Sequence, residues 1–288
     1  VFRFLKVFDK TIAIERSELG MFKKKNRLSV QTVLPENFQQ NRQFRQEMDT
    51  LRSLGFDGVE LNIAHPNRCK LGPILAFLEE SELQLTNFAS GLTAKTYGLS
   101  LSHQDEEERR RAVGKVQEII RLLEGSSIGI ILGFFKGPKA ENQETARIQF
   151  ARSFEELLPR AEAGKVPLIV EATNRYESSV ANSLEEAFEC IKKLPSPYAK
   201  ILPDTFHMNI EESDMYSALS RHLQYFDTIH LSDNNRYFPG FGALDFERII
   251  RHLRHDGFDG GFAIEGQIKR SFTDDCRAAI DFLKPYLS

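Results

Sequence analysis

The sequence predicts a single-domain α/β fold, a (β/α)8 TIM barrel, and three observations carry that expectation. From Arg27 onward short β-rich runs alternate with longer stretches of helical spacing, the runs number eight, and no Pro/Gly/Ser-rich linker interrupts them. Such alternation builds parallel sheet covered by helices, and eight repeats suffice to close it. An open doubly wound sheet shares the alternation, but its G-x-G-x-x-G phosphate fingerprint does not follow the first strand. Of the 288 residues, 1–20 (VFRFLKVFDKTIAIERSELG) read as an N-terminal extension outside the fold. Residues 21–288 then make the barrel, near the ~250 residues usual for it. Charges interrupt the extension every few residues, so it lacks the apolar run of a signal peptide.

The expected strands are 28–33, 58–62, 84–88, 128–133, 167–171, 200–204, 228–231 and 261–265. After the first strand, Phe44, Met48 and Leu51 fall on one helical face and Gly55 supplies a left-handed stop. Val113, Val116, Ile120 and Leu123 repeat the arrangement and end at Gly125. In the stretch 145–163, Pro159 is expected to kink or divide the helix, because it removes a donor and crowds the preceding turn. Ser183 and Glu186 form a capping-box pattern before Ala187, Phe188 and Ile191. Asp245 caps the segment carrying Phe246, Ile249, Ile250 and Leu253, which Gly257 closes.

Composition removes several function classes. The chain is 41% hydrophobic and 27% charged with a net charge of -3, an ordinary soluble balance with no basic footprint for nucleic acid. No stretch approaches the ~20 apolar residues of a membrane span. Cys69, Cys190 and Cys276 are odd in number and form no CxxC pair, which points to a reducing, cytoplasmic setting. None has a base at a suggestive spacing, so nucleophilic catalysis by cysteine is not expected. Homo-oligomerisation is left open.

Barrel chemistry sits where strands run out at the C-terminal face. The last four strands end in PLIVE, KILPD, TIH and FAIE, setting Glu171, Asp204, His230 and Glu265 on one rim. Each alone is more simply a helix cap or a solvated side chain; four in succession are not. Three carboxylates clustered without a counter-charge would repel and protonate, so the set calls for a cation. Three oxygen donors and one imidazole suit Mn2+, Mg2+ or Co2+, with Zn2+ also compatible. His207 follows Asp204 by three residues, Glu177 follows Glu171 by six and Arg236 follows His230 by six. These loops would place a donor/acceptor, a carboxylate and a guanidinium above the ion, a lining suited to a polyhydroxylated substrate.

The segments VEATNRYE (170–177), DTFHMNIEE (204–212), HLSDNNRYFPGFGALDF (230–246) and IEG (264–266) closely resemble the xylose isomerase-like sugar phosphate isomerase/epimerase superfamily. The nearest branch is the D-tagatose/D-psicose (allulose) 3-epimerase type, and LGFDGVEL (54–61) resembles that family's second strand. The resemblance runs from about Met21 to the C-terminus and is dense in the second half. It implies one divalent metal ion, Mn2+ foremost, held by Glu171, Asp204, His230 and Glu265. It further implies Glu171 and Glu265 as the acid/base pair and sugar contacts from His207, Arg236 and Glu177. The expected reaction inverts C3 of a free or phosphorylated ketose through an enediolate, one carboxylate removing the proton and the other returning it from the far side. The partner is therefore a small sugar, not a nucleic acid or a membrane.

Three other classes compete. An aldose–ketose isomerase would move the proton between C1 and C2. An endonuclease IV-like DNA repair enzyme would need a histidine-rich zinc cluster, whereas the loop after His230 reads SDNNR. A non-catalytic sugar or metal binder would not need two bases. Elsewhere the simpler readings are preferred. Lys136 near the fourth strand end reads as a solvated loop residue before a phosphate ligand, and PGFG (239–242) as a turn before an anion cradle. His65 reads as a turn residue at the pocket border, and His103, His222, His252 and His255 as remote from the strand ends. The run 105–111 reads as a solvated helix face pairing Glu106 with Arg110 and Glu107 with Arg111.

Overall fold

A computed structural model describes residues 27–287. The extension assigned to residues 1–20 lies outside the described residues. The chain runs β1 (Leu28–Val33), α1 (Arg42–Leu54), β2 (Gly58–Asn62), α2 (Leu71–Glu80), β3 (Gln84–Ala89), α3 (Gly91–Tyr97), α4 (Glu106–Leu123), β4 (Gly129–Ile131) and α5 (Gln143–Gly164). It continues β5 (Leu168–Glu171), α6 (Leu184–Ile191), β6 (Ala199–Leu202), α7 (Thr205–Glu211), α8 (Met215–His222), β7 (Thr228–Leu231), α9 (Phe246–His255), β8 (Gly261–Ile264) and α10 (Phe272–Leu287). The eight strands are parallel in the order β6-β5-β4-β3-β2-β1-β8-β7. This is the expected TIM barrel, a single domain.

The barrel is nearly rather than fully closed. Its first and last strands are joined through a full register, Leu28 to Phe262, Ser29 to Ala263 and Val30 to Ile264. The seam lies between β6 and β7, where a single bridge couples Asp204 to His230. The His230 N–H donates to the Pro203 carbonyl (2.9 Å), and the Thr205 hydroxyl donates to Ser232 O (2.6 Å) while accepting from Ser232 N (2.9 Å). At the other end of the seam, Lys200 pairs with Asp227 at 3.1 Å.

Strand periodicity sorts side chains between two layers. Val30, Val59, Leu61, Ile130, Leu168, Val170, Ile201, Ile229, Leu231, Phe262 and Ile264 belong to one buried cluster shared with the helices. Each such aliphatic side chain contributes about 1.5–3 kcal/mol by burial. The alternate positions face the barrel axis. There Ile131, Ile169 and Leu202 make a small separate apolar layer, with Gln31, Glu60, Asn87, Glu171 and His230 at other inward positions.

The helix boundaries follow the expected chemistry. Gly55 (φ 92°) and Gly257 (φ 86°) take the left-handed conformation, and Asp245 accepts from the Arg248 N–H at 2.9 Å. Ser183 caps through Glu186 N (3.2 Å), while the Glu186 carboxylate returns to Asn182 N (2.8 Å), one residue earlier than a reciprocal box. Pro159 does not divide its segment; α5 is continuous from Gln143 to Gly164. The charged run at the start of α4 is only partly solvated. Glu106 pairs with Arg110, but Arg111 takes Glu108 instead of Glu107. Arg109 turns inward onto Ser153 (2.9 Å) and Glu156 (3.1 Å), joining α4 to α5.

Candidate functional site

Four strand ends converge on one point. Glu171 closes β5, His230 lies within β7, and Asp204 and Glu265 stand just past β6 and β8. One ligand atom from each of the four lies within 4.8 Å of the other three. His230 Nδ1 is 2.7 Å from Glu265 Oε2, 3.5 Å from Glu171 Oε1 and 3.7 Å from Asp204 Oδ2. Asp204 divides its labour between two oxygens. Its Oδ1 caps α7 by accepting from the N–H groups of Phe206 (2.8 Å) and His207 (3.3 Å), while Oδ2 faces the cluster. The helix-cap reading and the ligand reading of this residue are therefore compatible.

Sequence reasoning missed Glu60, which completes the arrangement from β2. Fully buried, it meets His230 Nε2 at 2.8 Å and is held by Asn87 Nδ2 at 2.9 Å. A carboxylate on one ring nitrogen fixes the imidazole and leaves the other nitrogen directed at the three carboxylates. The available signal was a charged residue inside the apolar run of β2, where Val59 and Leu61 point to the helices and Glu60 must point to the axis.

Arg236 lies over the cluster, its Nη1 2.7 Å from Asp204 Oδ2 and its Nη2 3.0 Å from Glu265 Oε1. Its backbone is left-handed (φ 64°), a conformation costing a non-glycine residue about 1 kcal/mol or more. The loop holds it there, through Arg236 N to Asp233 O (2.9 Å) and Gln267 N to Arg236 O (2.7 Å). His207 is buried and accepts at Nδ1 from Asn174, both backbone N–H (3.2 Å) and amide (2.8 Å). The Asn174 amide also reaches Glu177 Oε1 at 3.1 Å, so one side chain links two of the residues expected to meet substrate. Asn174 carried no signal of its own in the sequence.

The electrostatics follow from this crowding. Burial alone would push His230 down, but Glu60 and Glu265 beside it hold it well above the ordinary histidine value. Burial would raise Asp204 and Glu265, yet the Arg236 guanidinium overrides it and both are lowered. Four carboxylates surround one guanidinium and one imidazole, so negative charge exceeds positive. A divalent cation among three oxygens and one nitrogen would balance that excess, and the donor set fits one.

Glu171, Glu265, His207, Arg236 and Glu177 line a common cavity of about 190 Å³. Its distal wall comes from the first half of the chain, notably Gln31, Asn62, Lys95 and Phe134, none of which the sequence marked. At the end of β4 the backbone of Gly133 lies against the Glu171 carboxylate, where any Cβ would collide with it.

Lys136 is not a solvated loop residue. It is fully buried, and its ammonium donates to the Glu171 carbonyl, to Thr173 Oγ1 (3.0 Å) and to Ala181 O (3.4 Å). Burial lowers its pKa to about 8. It ties the loop beyond β4 to the end of β5. The PGFG segment is a turn, as preferred, and its amides are already occupied: the Asp233 carboxylate accepts from Gly240 N (3.1 Å) and Gly242 N (2.8 Å), and Phe238 O accepts from Phe241 N (3.3 Å). His65 pairs with Tyr97 (3.0 Å) and Glu36 (3.3 Å), and is not among the residues lining that cavity. Cys69, Cys190 and Cys276 are free thiols. Among the described residues, no helix is long and apolar enough to cross a membrane.

A family model described as Xylose isomerase-like TIM barrel matches residues 48–286. The D-psicose 3-epimerase of Enterocloster bolteae is 30% identical over 80% of this chain and 79% of its own length. The 3-dehydro-D-guloside 4-epimerase of Escherichia coli is 28% identical, over 83% and 90%. The solved apo structure of 3-keto-D-glucoside 4-epimerase from E. coli superposes with a TM-score of 0.74 at 25% identity, covering 91% of this chain and 99% of that one.

Proposed function

This chain belongs to the xylose isomerase-like TIM barrel family and is an isomerase of the epimerase kind, and on that premise we propose that it inverts C3 of a ketose, free or phosphorylated, through an enediolate. The observation that carries the reading is the convergence of Glu171 and Glu265, from β5 and β8, into one cavity, where with Asp204 and His230 they make a three-carboxylate, one-imidazole donor set.

In this proposal Glu171, Asp204, His230 and Glu265 hold one divalent ion, Mn2+ ahead of Mg2+, Co2+ or Zn2+. When bound, the ion supplies Lewis acidity that lowers the cost of negative charge developing on the substrate oxygens. The protein's own groups do the rest. One of Glu171 and Glu265 takes the proton from the carbon next to the ketone, and the other delivers a proton to the opposite face. Arg236 supplies positive charge where the enediolate develops it. His207, held by Asn174, and Glu177 fix the hydroxyls in a near-attack pose. Lys136 keeps the Glu171 backbone in place from behind.

The resemblance to 4-epimerases of keto-glycosides favours a second reading with the same chemistry, proton exchange at C4 beside a C3 ketone. Incubation in D2O with each class of sugar separates them. Deuterium at C3 of a 2-ketose supports the proposal, and deuterium at C4 of a 3-keto sugar supports the second reading. Label confined to C1 of the ketose or C2 of the aldose would instead make the enzyme an aldose–ketose isomerase and sink both.

Glu60→Gln tests the placement of His230. A glutamine can still accept from Nε2 but no longer supplies the charge that strengthens the imidazole as a donor. The expected result is metal affinity about 10–100-fold weaker with an unchanged fold, read by titrating Mn2+ into chelated protein. Unchanged affinity would remove Glu60 from the metal site.

A further inference from the structure

Beside the catalytic cavity lies a second and larger one of about 610 Å³, lined by residues of α3, the loop leading to α4, and the loop beyond β4. The two share Lys95 and Phe134 as lining residues, so they adjoin across that pair. Phe134 is one of the few large apolar side chains exposed among the described residues, at 38%, and the Lys95 ammonium sits 4.7 Å from its ring centroid. In the outer cavity Phe134, Pro138 and Ala140 present apolar surface and His103 and Gln104 present polar groups, whereas Ala94, Leu99, Ser100 and Ser102 are almost wholly buried. The charged lining residues, Lys95, Lys139 and Glu141, are of both signs, and the Lys95 ammonium is already engaged over the Phe134 ring. That mixture suits an uncharged ring bearing hydroxyls better than a phosphate, which would call for converging cationic donors.

We infer that the outer cavity is a subsite for a second ring, and that the preferred substrate is a keto sugar carrying that ring through a glycosidic bond. The inference rests on the epimerase reading of the inner cavity. A free ketose would leave the outer cavity to solvent, whereas a glycoside would run from Glu171 and Glu265 past Phe134 to His103 and Gln104. Such remote contacts raise kcat/KM by holding the reacting carbon in place.

The test compares matched substrates in D2O: D-fructose with 6-O-α-D-glucosyl-D-fructose, methyl with phenyl 3-keto-β-D-glucopyranoside, and D-fructose 6-phosphate as the charged arm. The larger member of one pair should be preferred in kcat/KM by about tenfold or more. Ala140→Trp, which fills the outer cavity while leaving that residue's backbone bond to Ser179 intact, should abolish the preference and leave the smaller member within about twofold of wild type. His103→Trp, on another part of the lining, should act in the same direction if Ala140→Trp fails to fold. Preference for the smaller member or for the phosphate would overturn the subsite, as would a folded variant that changes both members of a pair equally. Absence of deuterium exchange with every probe would instead sink the epimerase reading, and the subsite with it.

Discussion

Glu265→Gln is expected to lower turnover by about 10³-fold or more while the barrel stays folded. The amide is nearly isosteric with the carboxylate but cannot accept the proton. The neighbours tolerate the change, because Arg236 keeps its 2.7 Å contact with Asp204 and His230 keeps Glu60 at 2.8 Å. A more specific consequence separates an acid/base role from a purely ligating one. With one carboxylate of the pair removed, the other can still take a proton and return it to the same face. One of the two epimers should therefore exchange its proton with D2O, with retention, although neither is converted to the other. Glu171→Gln should show the same pattern for the opposite epimer. More than about a tenth of wild-type turnover in either folded variant would exclude the pair as essential bases.

Exhaustive chelation should reduce activity to background, with recovery on adding Mn2+. The same addition should raise the thermal midpoint by about 5 °C or more, since an ion bound only by the folded site stabilises it by mass action. The affinity should rise with pH. His230 is held well above the ordinary histidine value by its carboxylate neighbours, so the ion must displace a proton from Nδ1, and lower pH favours that proton. Full activity in chelated protein, or a thermal midpoint that ignores Mn2+, would remove the metal from the reaction.

What could be read from sequence was whatever lies contiguous along the chain. The four clustered residues, Glu171, Asp204, His230 and Glu265, could be found because each ends an apolar run, and strand ends of a barrel share a rim. His207, Glu177 and Arg236 were legible as residues carried on the same loops. Glu60 was not, because only closure of the barrel brings it across from β2 to His230, 170 residues away. Lys136 was misjudged for a related reason. Beside Gly137 and Pro138 a lysine looks like loop, and nothing local reveals that Thr173 and Ala181 fold over to accept its protons. The distal wall was illegible because Gln31, Asn62, Lys95 and Phe134 come singly from separate strands, a helix and a loop, each unremarkable alone. Pro159 was overestimated, because burial of Phe154, Leu157, Leu158 and Ala161 around it keeps the helix whole.

The position of the seam gives the barrel a compliant joint. In a ring of strands the demanding closure joins the two chain ends, and here β1 and β8 meet in a complete ladder. The thin joint falls between β6 and β7, sequence neighbours tethered by α7 and α8, so parting them lengthens no loop and releases little chain entropy. The remaining strand pairs form ladders that do not depend on this joint. The bridge between Asp204 and His230 stands at the rim end of that joint, and the Lys200–Asp227 pair at the other. A ligand gripping both Asp204 and His230 would act as the clasp that shuts the cylinder.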